Sequence, residues 1–250
     1  MTQAETRVEL SAAILSGNPR NSKPDPVVAK RWNDYGIGLF EQRQYGPAAE
    51  AFSHAADLDP SNHSLLVNAA IAEMRTERFG PERTQFHKAA SLLERALNIE
   101  PVNCRARFYR ALVWRGLGRL TDAAAELKAI AAIYPRDREV QRQLGQTFYS
   151  LGKFDQARAA LETVISIDPT DAAAYEQLAP LYRMEGRSAD AQRVQSLYLQ
   201  WRDDPVADVV ATRFFAAHPE WSDERVTSHV HSQHSQQRRI LTGESAAPIK

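Results

Sequence analysis

Residues 144–169 read LGQTFYSLGKFDQARAALETVISIDP, and this stretch decides the fold. Gly152 stands where a first helix must end and turn, a position suited to a left-handed C-cap. Gly145 and Ala157 are small, so the helices before and after that turn can approach each other closely. Pro169 ends the second helix, because proline fits the first turn of a helix but not its interior. The stretch therefore predicts a hairpin of two amphipathic helices.

The hairpin pattern recurs along the chain with a fixed period. Pro101, Pro135 and Pro169 follow one another at intervals of 34 residues. Five dipeptides mark the ends of the units: Asp59-Pro60, Glu100-Pro101, Tyr134-Pro135, Asp168-Pro169 and Asp204-Pro205. A fixed period of this length is typical of helix–turn–helix repeats, which stack into a solenoid instead of enclosing one globular core.

The recurring residues resemble the tetratricopeptide repeat family, whose pattern runs W-x2-L-G-x2-Y, then A, F, A and P. The first unit carries Trp32, Tyr35, Gly36, Leu39, Ala48, Phe52, Ala55 and Pro60. The fifth carries Tyr175, Leu178, Ala179, Tyr182, Gly186, Ala191 and Tyr198. The resemblance implies an all-α fold, a right-handed α-solenoid of about five helix-turn-helix hairpins closed by a C-terminal capping helix. The expected units are 29–62, 63–103, 104–137, 138–171 and 172–205.

The second unit is longer than the others, because its proline lies 41 residues after the previous one. We place the extra residues around Thr76–Arg83, where Phe79-Gly80-Pro81 is typical of a turn. The flanking helices are expected near Ser64–Arg75 and Gln85–Ile99. The insertion is either a longer first turn or an added binding lip.

The two ends of the chain differ from the repeats. We expect residues 1–28 to form a flexible lead-in with a short helix, residues 206–234 to form the capping helix and a histidine-containing tail helix, and residues 235–250 to be disordered. The segment Phe214–Trp221 also faintly resembles the tail of repeat regions in bacterial multihaem c-type cytochromes. The chain has no haem-attachment motif, so no electron-transfer role follows from that resemblance.

Composition excludes several classes of function. The 31 basic and 31 acidic side chains cancel, so no net charge favours nucleic acid or an anionic membrane. No apolar run approaches the ~20 residues of a membrane helix, so no membrane insertion is expected. We identify no secretory signal, which favours a cytoplasmic location, or a periplasmic one if a signal is missing from the gene start. The single cysteine, Cys104, excludes an internal disulfide.

Candidate binding residues follow from the family resemblance, in which the first helix of each hairpin lines a concave groove. The positions implied to point inward include Asn33, Ile37, Asn68, Arg105, Phe108, Arg115, Arg142, Tyr149 and Arg183. Arginines beside aromatic residues suit a protein or peptide partner, in particular an acidic or carboxylate-bearing one. The alternative is that these charges form an ordinary solvated face.

One binding mode of the family fits poorly. Some tetratricopeptide co-chaperones grip a carboxy-terminal carboxylate with lysines, asparagines and an arginine from three units. At the matching positions Asn68 fits and Arg105 is a basic substitute, but Asn33, Ile37 and Tyr109 do not fit. The sequence therefore argues against a carboxylate clamp of that type.

Two other functions remain open, namely metal binding and structural self-association. His229, His231 and His234 could bind zinc, copper or nickel, although no regular element aligns all three side chains. The chain has no P-loop, GxGxxG, HExxH, GxSxG or CxxCH motif. We therefore expect a non-catalytic interaction scaffold that needs no cofactor.

Overall fold

The computed structural model describes residues 24–76 and 83–202 of the 250-residue chain. Within these ranges the chain forms ten helices and no strand, which confirms the predicted all-α fold. The helices are α1 (Pro26–Glu41), α2 (Tyr45–Leu58), α3 (His63–Arg75), α4 (Thr84–Ile99), α5 (Cys104–Gly116), α6 (Leu120–Ile133), α7 (Arg138–Ser150), α8 (Phe154–Ile167), α9 (Ala172–Met184) and α10 (Ser188–Trp201).

Several predictions fall outside the described residues. They are the short helix within residues 1–23, most of the insertion, the capping helix, and the tail with its histidines. The helices that flank the insertion are described. Their ends at Arg75 and Thr84 lie within one residue of the ends predicted from the sequence.

The helices belong to two compact units, residues 1–101 and 102–250. In the first unit, α1 packs on α2, α2 on α3, and α3 on α4. In the second unit each of α5 to α9 packs on the next helix, and α5 also contacts α7. Each unit is therefore a stack of helical hairpins, in which α1, α3, α5, α7 and α9 are the first helices.

Glycines with positive φ close the turns inside the hairpins of the second unit. The φ angles are 81° at Gly118, 70° at Gly152 and 73° at Gly186, as the sequence predicted. These angles are costly for residues with a Cβ atom, and they let the chain reverse after a helix. In the first hairpin of the chain Arg43 takes this conformation, with a φ of 60°.

Small residues allow the two helices of a hairpin to touch. A Cβ atom added at Gly145 of α7 would lie 2.7 Å from Cγ of Leu161 on α8. One added at Gly36 of α1 would lie 2.7 Å from Cε1 of Phe52 on α2. The large side chain of the second helix thus occupies the space that the glycine leaves.

The cores of the units consist of the apolar faces of these helices. In the second unit the cluster includes Leu127, Ile130, Leu161, Val164 and Leu178, each at most 1 % exposed. Burying one such side chain contributes roughly 1.5–3 kcal/mol to folding. The hairpins therefore depend on contacts with one another, as solenoid repeats do.

Candidate functional site

The first helices of the second unit, α5, α7 and α9, carry most of the predicted binding residues. Short side-chain caps begin each of these helices, because Asn103, Asp137 and Asp171 accept hydrogen bonds from the backbone N–H groups three residues later. The caps fix the phase of the helices, so equivalent positions recur every 34 residues. Arg115, Tyr149 and Arg183 occupy one such set of positions. Together with Gln146 they define what we call the α5–α7–α9 face.

Arg115 joins α5 to α7 through neutral amide groups. Its Nη1 donates to Oε1 of Gln143 and, at 2.7 Å, to Oε1 of Gln146. Gln143 in turn donates from Nε2 to Oε1 of Glu139 at 2.7 Å. The Arg115 guanidinium is partly buried, and burial lowers its pKa, which the negative charge of Glu139 only partly offsets.

Arg142 already has two carboxylate partners within the unit. It donates to Glu139 on its own helix and lies 3.3 Å from Oδ2 of Asp171, the N-cap of α9. Burial opposes its charged form, but the attraction of Asp171 and Glu139 outweighs burial and raises its pKa. Arg138, at the start of α7, pairs with Asp168, which lies with Asp171 in the loop before α9. These ion pairs fasten α7 to the start of α9, so the charge of Arg142 is neutralised internally.

Phe108 lies in the core, where its side chain is 3 % exposed and its ring meets that of Tyr109 edge-on at 5.4 Å. This burial corrects the prediction that Phe108 contacts a ligand, because a ring packed among the core residues cannot be reached. The neighbouring Arg105 is half-buried, with its guanidinium carbon 6.0 Å from the centre of the Tyr109 ring. Burial lowers the pKa of Arg105.

Tyr149 and Met184 give the face exposed apolar surface. The Tyr149 side chain is 45 % exposed, and its ring packs edge-to-face with that of Phe154, with the ring centres 5.6 Å apart. Met184, at the end of α9, is 57 % exposed. Arg183 precedes it and donates to Oε1 of Gln195 on α10 at 3.2 Å. The face therefore combines guanidinium and amide donors with an aromatic ring.

The predicted residues of the first unit form a separate group on α1 and α3. Nδ2 of Asn68 donates to Oδ1 of Asn33 at 2.9 Å, which links the two helices. Ile37, one turn further along α1, is 41 % exposed. This group presents amide groups and an apolar side chain, and its members lie on the first helices of their hairpins as the family resemblance implies.

Sequence reasoning missed the polar residues that hold the arginines in place. Gln143, Asp168 and Asp171 are each buried, at 9 %, 3 % and 7 % exposure. A signal for Asp171 was available, because an aspartate directly before a predicted helix is a common N-cap. Its pairing with Arg142 had no local signal, since the two residues belong to different hairpins.

Within the described residues, two features bear on metal and thiol chemistry. Within residues 24–76 and 83–202, no group of three or more histidine, cysteine, aspartate or glutamate side chains is arranged to hold a metal ion. His229, His231 and His234 lie outside these ranges. The Cys104 thiol is buried, which raises its pKa to about 11, so it is protonated and unreactive at neutral pH. None of the described helices is long and apolar enough to cross a membrane.

Comparison with known families assigns the repeats. A model described as "Tetratricopeptide repeat" matches residues 82–138, and one described as "TPR repeat" matches residues 145–186. These matches fall on helical hairpins with the expected glycine turns. These two stretches of the chain are therefore tetratricopeptide repeats. Such repeats are protein-interaction scaffolds, which is the class of function that the fold and the family support.

Known proteins share this architecture over part or most of the chain. Human serine/threonine-protein phosphatase 5 is 25 % identical over 130 residues, which are 49 % of this chain and 24 % of that enzyme. The chain thus spans about a quarter of that relative's length. A crystal structure of MamA protein aligns with a TM-score of 0.57 and 19 % identity, covering 70 % of this chain and 92 % of that one. YrrB, described as a TPR protein with an unusual peptide-binding site, aligns with a TM-score of 0.53 and 18 % identity over 74 % of this chain and 92 % of that one.

Proposed function

We propose that the α5–α7–α9 face of this protein binds an extended peptide segment of a partner protein, with a carboxylate of the peptide at Arg115. The proposal rests on the hydrogen-bond partners of Arg115, which are uncharged. They are the amide oxygens of Gln143 and Gln146. Within the described part of the chain it forms no ion pair with a carboxylate.

The partly buried charge of Arg115 favours an anion as an additional partner. Burial lowers the pKa of the guanidinium, because removal from water penalises the charged form. A carboxylate bound beside it would restore the lost solvation through charge-assisted hydrogen bonds. Arg142 is a weaker candidate, since Asp171 and Glu139 already neutralise it.

Gln146 and Tyr149 extend the binding surface from Arg115. The Oε1 atom of Gln146 accepts from Arg115, so its Nε2 group is oriented as a donor toward other acceptors. Tyr149 lies one helical turn further along α7 and exposes nearly half of its side chain. A carbonyl oxygen of the peptide would suit the amide, and an apolar peptide side chain would suit the ring. The peptide-binding site of YrrB, which has the same fold, adds support at the level of the fold.

A peptide selection tests this proposal. Random peptides with free carboxy termini are displayed to the full-length protein, and the affinities of the selected peptides are measured by calorimetry. We expect the selected peptides to carry an aspartate, a glutamate or a terminal carboxylate next to an apolar residue. Arg115→Gln should weaken binding by about 10-fold or more, because hydrogen bonds to charged groups contribute roughly 1.5–3 kcal/mol. Tyr149→Ala should also weaken binding.

Matched variants provide the controls. Arg193→Gln removes an arginine whose side chain is 65 % exposed on α10, the second helix of its hairpin. Val27→Ala shortens a side chain that is 66 % exposed on α1. Neither should change the affinity of a selected peptide. Equal affinities for wild type, Arg115→Gln and Tyr149→Ala would reject the proposed face as the binding site.

A further inference from the structure

Within the described residues, the guanidinium of Arg115 is held through one of its three nitrogen atoms. Nη1 carries two N–H groups, and it donates to Oε1 of Gln143 and to Oε1 of Gln146. Both glutamines lie on α7, so they fasten this side chain of α5 to the next first helix. Because a guanidinium is planar and rigid, two hydrogen bonds at Nη1 fix the direction in which the other two nitrogen atoms point.

The opposite edge of the same guanidinium is open. In the part of the chain that the structure describes, neither Nε nor Nη2 of Arg115 donates to another group, and neither is shielded from solvent as Nε of Arg110 and Nε of Arg138 are. Nε and Nη2 present two parallel N–H groups, and such a fork matches the two oxygen atoms of a carboxylate. The contacts with the glutamines therefore leave free the edge that can bind a carboxylate at both of its oxygens.

The amide of Gln143 has a fixed orientation. Its Nε2 atom donates to Oε1 of Glu139 at 2.7 Å, and an ionised carboxylate accepts hydrogen bonds but cannot donate them. The NH2 group of Gln143 must therefore face Glu139, which turns the amide oxygen toward Arg115. Because the Gln143 side chain is buried, it influences a bound molecule through Arg115 and not by direct contact.

The repeat itself does not require this arrangement. The positions of Arg115 and Gln143 recur 34 residues later as Tyr149 and Gln177. Nε2 of Gln177 donates at 3.1 Å to the backbone oxygen of Ala173 on its own helix. The hairpins of the second unit thus pack with or without an arginine held by a glutamine, so packing alone does not explain the pair.

We propose that Arg115 binds a carboxylate through both Nε and Nη2, and that Gln143, oriented by Glu139, is the residue that positions the arginine. This inference rests on the peptide-binding function proposed above, and it adds the donor edge that is used and the residue that holds it in place. One carboxylate matches the single charge of Arg115. A phosphate dianion would need a second cation, and Arg142 is already paired with Asp171 and Glu139.

Small probes test the carboxylate fork without a peptide. The Nε–H signal of Arg115 is followed by NMR in the full-length protein labelled at arginine, and its loss in Arg115→Lys assigns it. Sodium hexanoate, hexanamide and inorganic phosphate are titrated at constant ionic strength, and the six-carbon chain of the first two suits the exposed ring of Tyr149. We expect hexanoate to shift the signal in a saturable way and to bind about 10-fold or more tightly than hexanamide. Equal responses to hexanoate and hexanamide, or tighter binding of phosphate, would overturn the proposal.

Gln143→Met tests the positioning role, because methionine has the length of glutamine but lacks the amide. The affinity for hexanoate should fall by about 2- to 10-fold, and Gln177→Met, at the same position of the next hairpin, should leave it unchanged. In the free protein, the Nη1–H and Nη2–H signals of Arg115 should be resolved in wild type and should merge in Gln143→Met, since the hydrogen bond slows rotation of the Nη1 group. Unchanged hexanoate affinity in Gln143→Met, or an equal loss in Gln177→Met, would reject Gln143 as the positioning residue.

The probe titration and the peptide selection fail separately. Binding of hexanoate at Arg115 without any peptide bound at the face would support the carboxylate fork and reject the proposed function. Selected peptides that bind the face with the same affinity in wild type and Gln143→Met would support the proposed function and reject the positioning role.

Discussion

At the scale of single residues, the fold depends on positions where one atom decides whether two helices can touch. Gly145 is such a position, because a Cβ atom there would lie 2.7 Å from Cγ and 2.9 Å from Cδ2 of Leu161. Gly38 of α1 is also helical, yet a Cβ atom there would meet nothing within 4 Å. The two glycines therefore separate the effect of packing from that of helix propensity.

Gly145→Ala should destabilise the second unit. The crowding of Leu161 costs about 1–3 kcal/mol, which exceeds the gain of up to about 1 kcal/mol from replacing a helical glycine by alanine. Gly38→Ala should instead raise the stability by about 0.5–1 kcal/mol, since only the propensity changes. Urea unfolding followed by circular dichroism measures both midpoints. A higher midpoint for Gly145→Ala would show that Leu161 moves aside freely.

Tyr182 gives the second unit a pH dependence at alkaline pH. Burial, together with the hydrogen bond from its hydroxyl to Oε1 of Glu162 at 2.8 Å, raises the pKa of Tyr182 to about 12. Because the ordinary tyrosine pKa is about 10, the unfolded chain loses this proton first. The stabilising contribution is therefore complete below pH ~10 and is lost as the pH rises toward the folded-state pKa.

Tyr182→Phe should reduce the loss of stability between pH ~10 and ~12 relative to wild type. The measurement is the urea midpoint at pH 9 and at pH 11 for both proteins. Tyr149→Phe is the matched control, since that side chain is exposed and has no carboxylate partner among the described residues. An identical alkaline loss in wild type and Tyr182→Phe would contradict the role of the Tyr182–Glu162 hydrogen bond.

At the scale of helices, the hairpins could be predicted from sequence because each of their signals is local. Gly152 and Pro169 mark a turn and a helix end within one unit, and Gly145 and Ala157 face each other across one hairpin. The pairing and burial of the residues in the candidate site were less predictable. Arg142 is neutralised by Asp171 from the next hairpin, and burial of its ring removes Phe108 from the binding surface. Both outcomes depend on packing between helices that are distant in sequence.

Asp171 tests this connection between helices. Its carboxylate caps α9 through the N–H of Ala174 at 3.0 Å and also pairs with Arg142. Asp171→Ala should lower stability by about 0.5–2 kcal/mol for the cap, and by more for the partly buried arginine left without that partner. Asp171→Asn keeps the cap and should cost less. Urea midpoints of the two variants decide this. Equal losses would mean that the cap contributes nothing, and a midpoint unchanged in Asp171→Asn would mean that the ion pair contributes nothing.

At the scale of the whole molecule, the repeat period predicted the class of protein but not its ligand. The 31 acidic and 31 basic side chains balance, and many of the arginines in the second unit are paired with carboxylates inside it. Binding specificity must therefore come from individual side chains and not from a net electrostatic field. Arg115 stands out because its guanidinium is partly buried while its hydrogen-bond partners are uncharged.

Hydrogen exchange with a bound peptide shows directly whether the α5–α7–α9 face is the binding site. A peptide selected on the full-length protein is added at saturation, and the exchange of backbone amides is compared with that of the free protein. We predict slower exchange in the first helices α5, α7 and α9, centred on residues 112–116 and 146–150, and loss of this protection in Arg115→Gln at the same peptide concentration. Protection confined to the second helices α6, α8 and α10, or to residues 24–101, would contradict binding at this face.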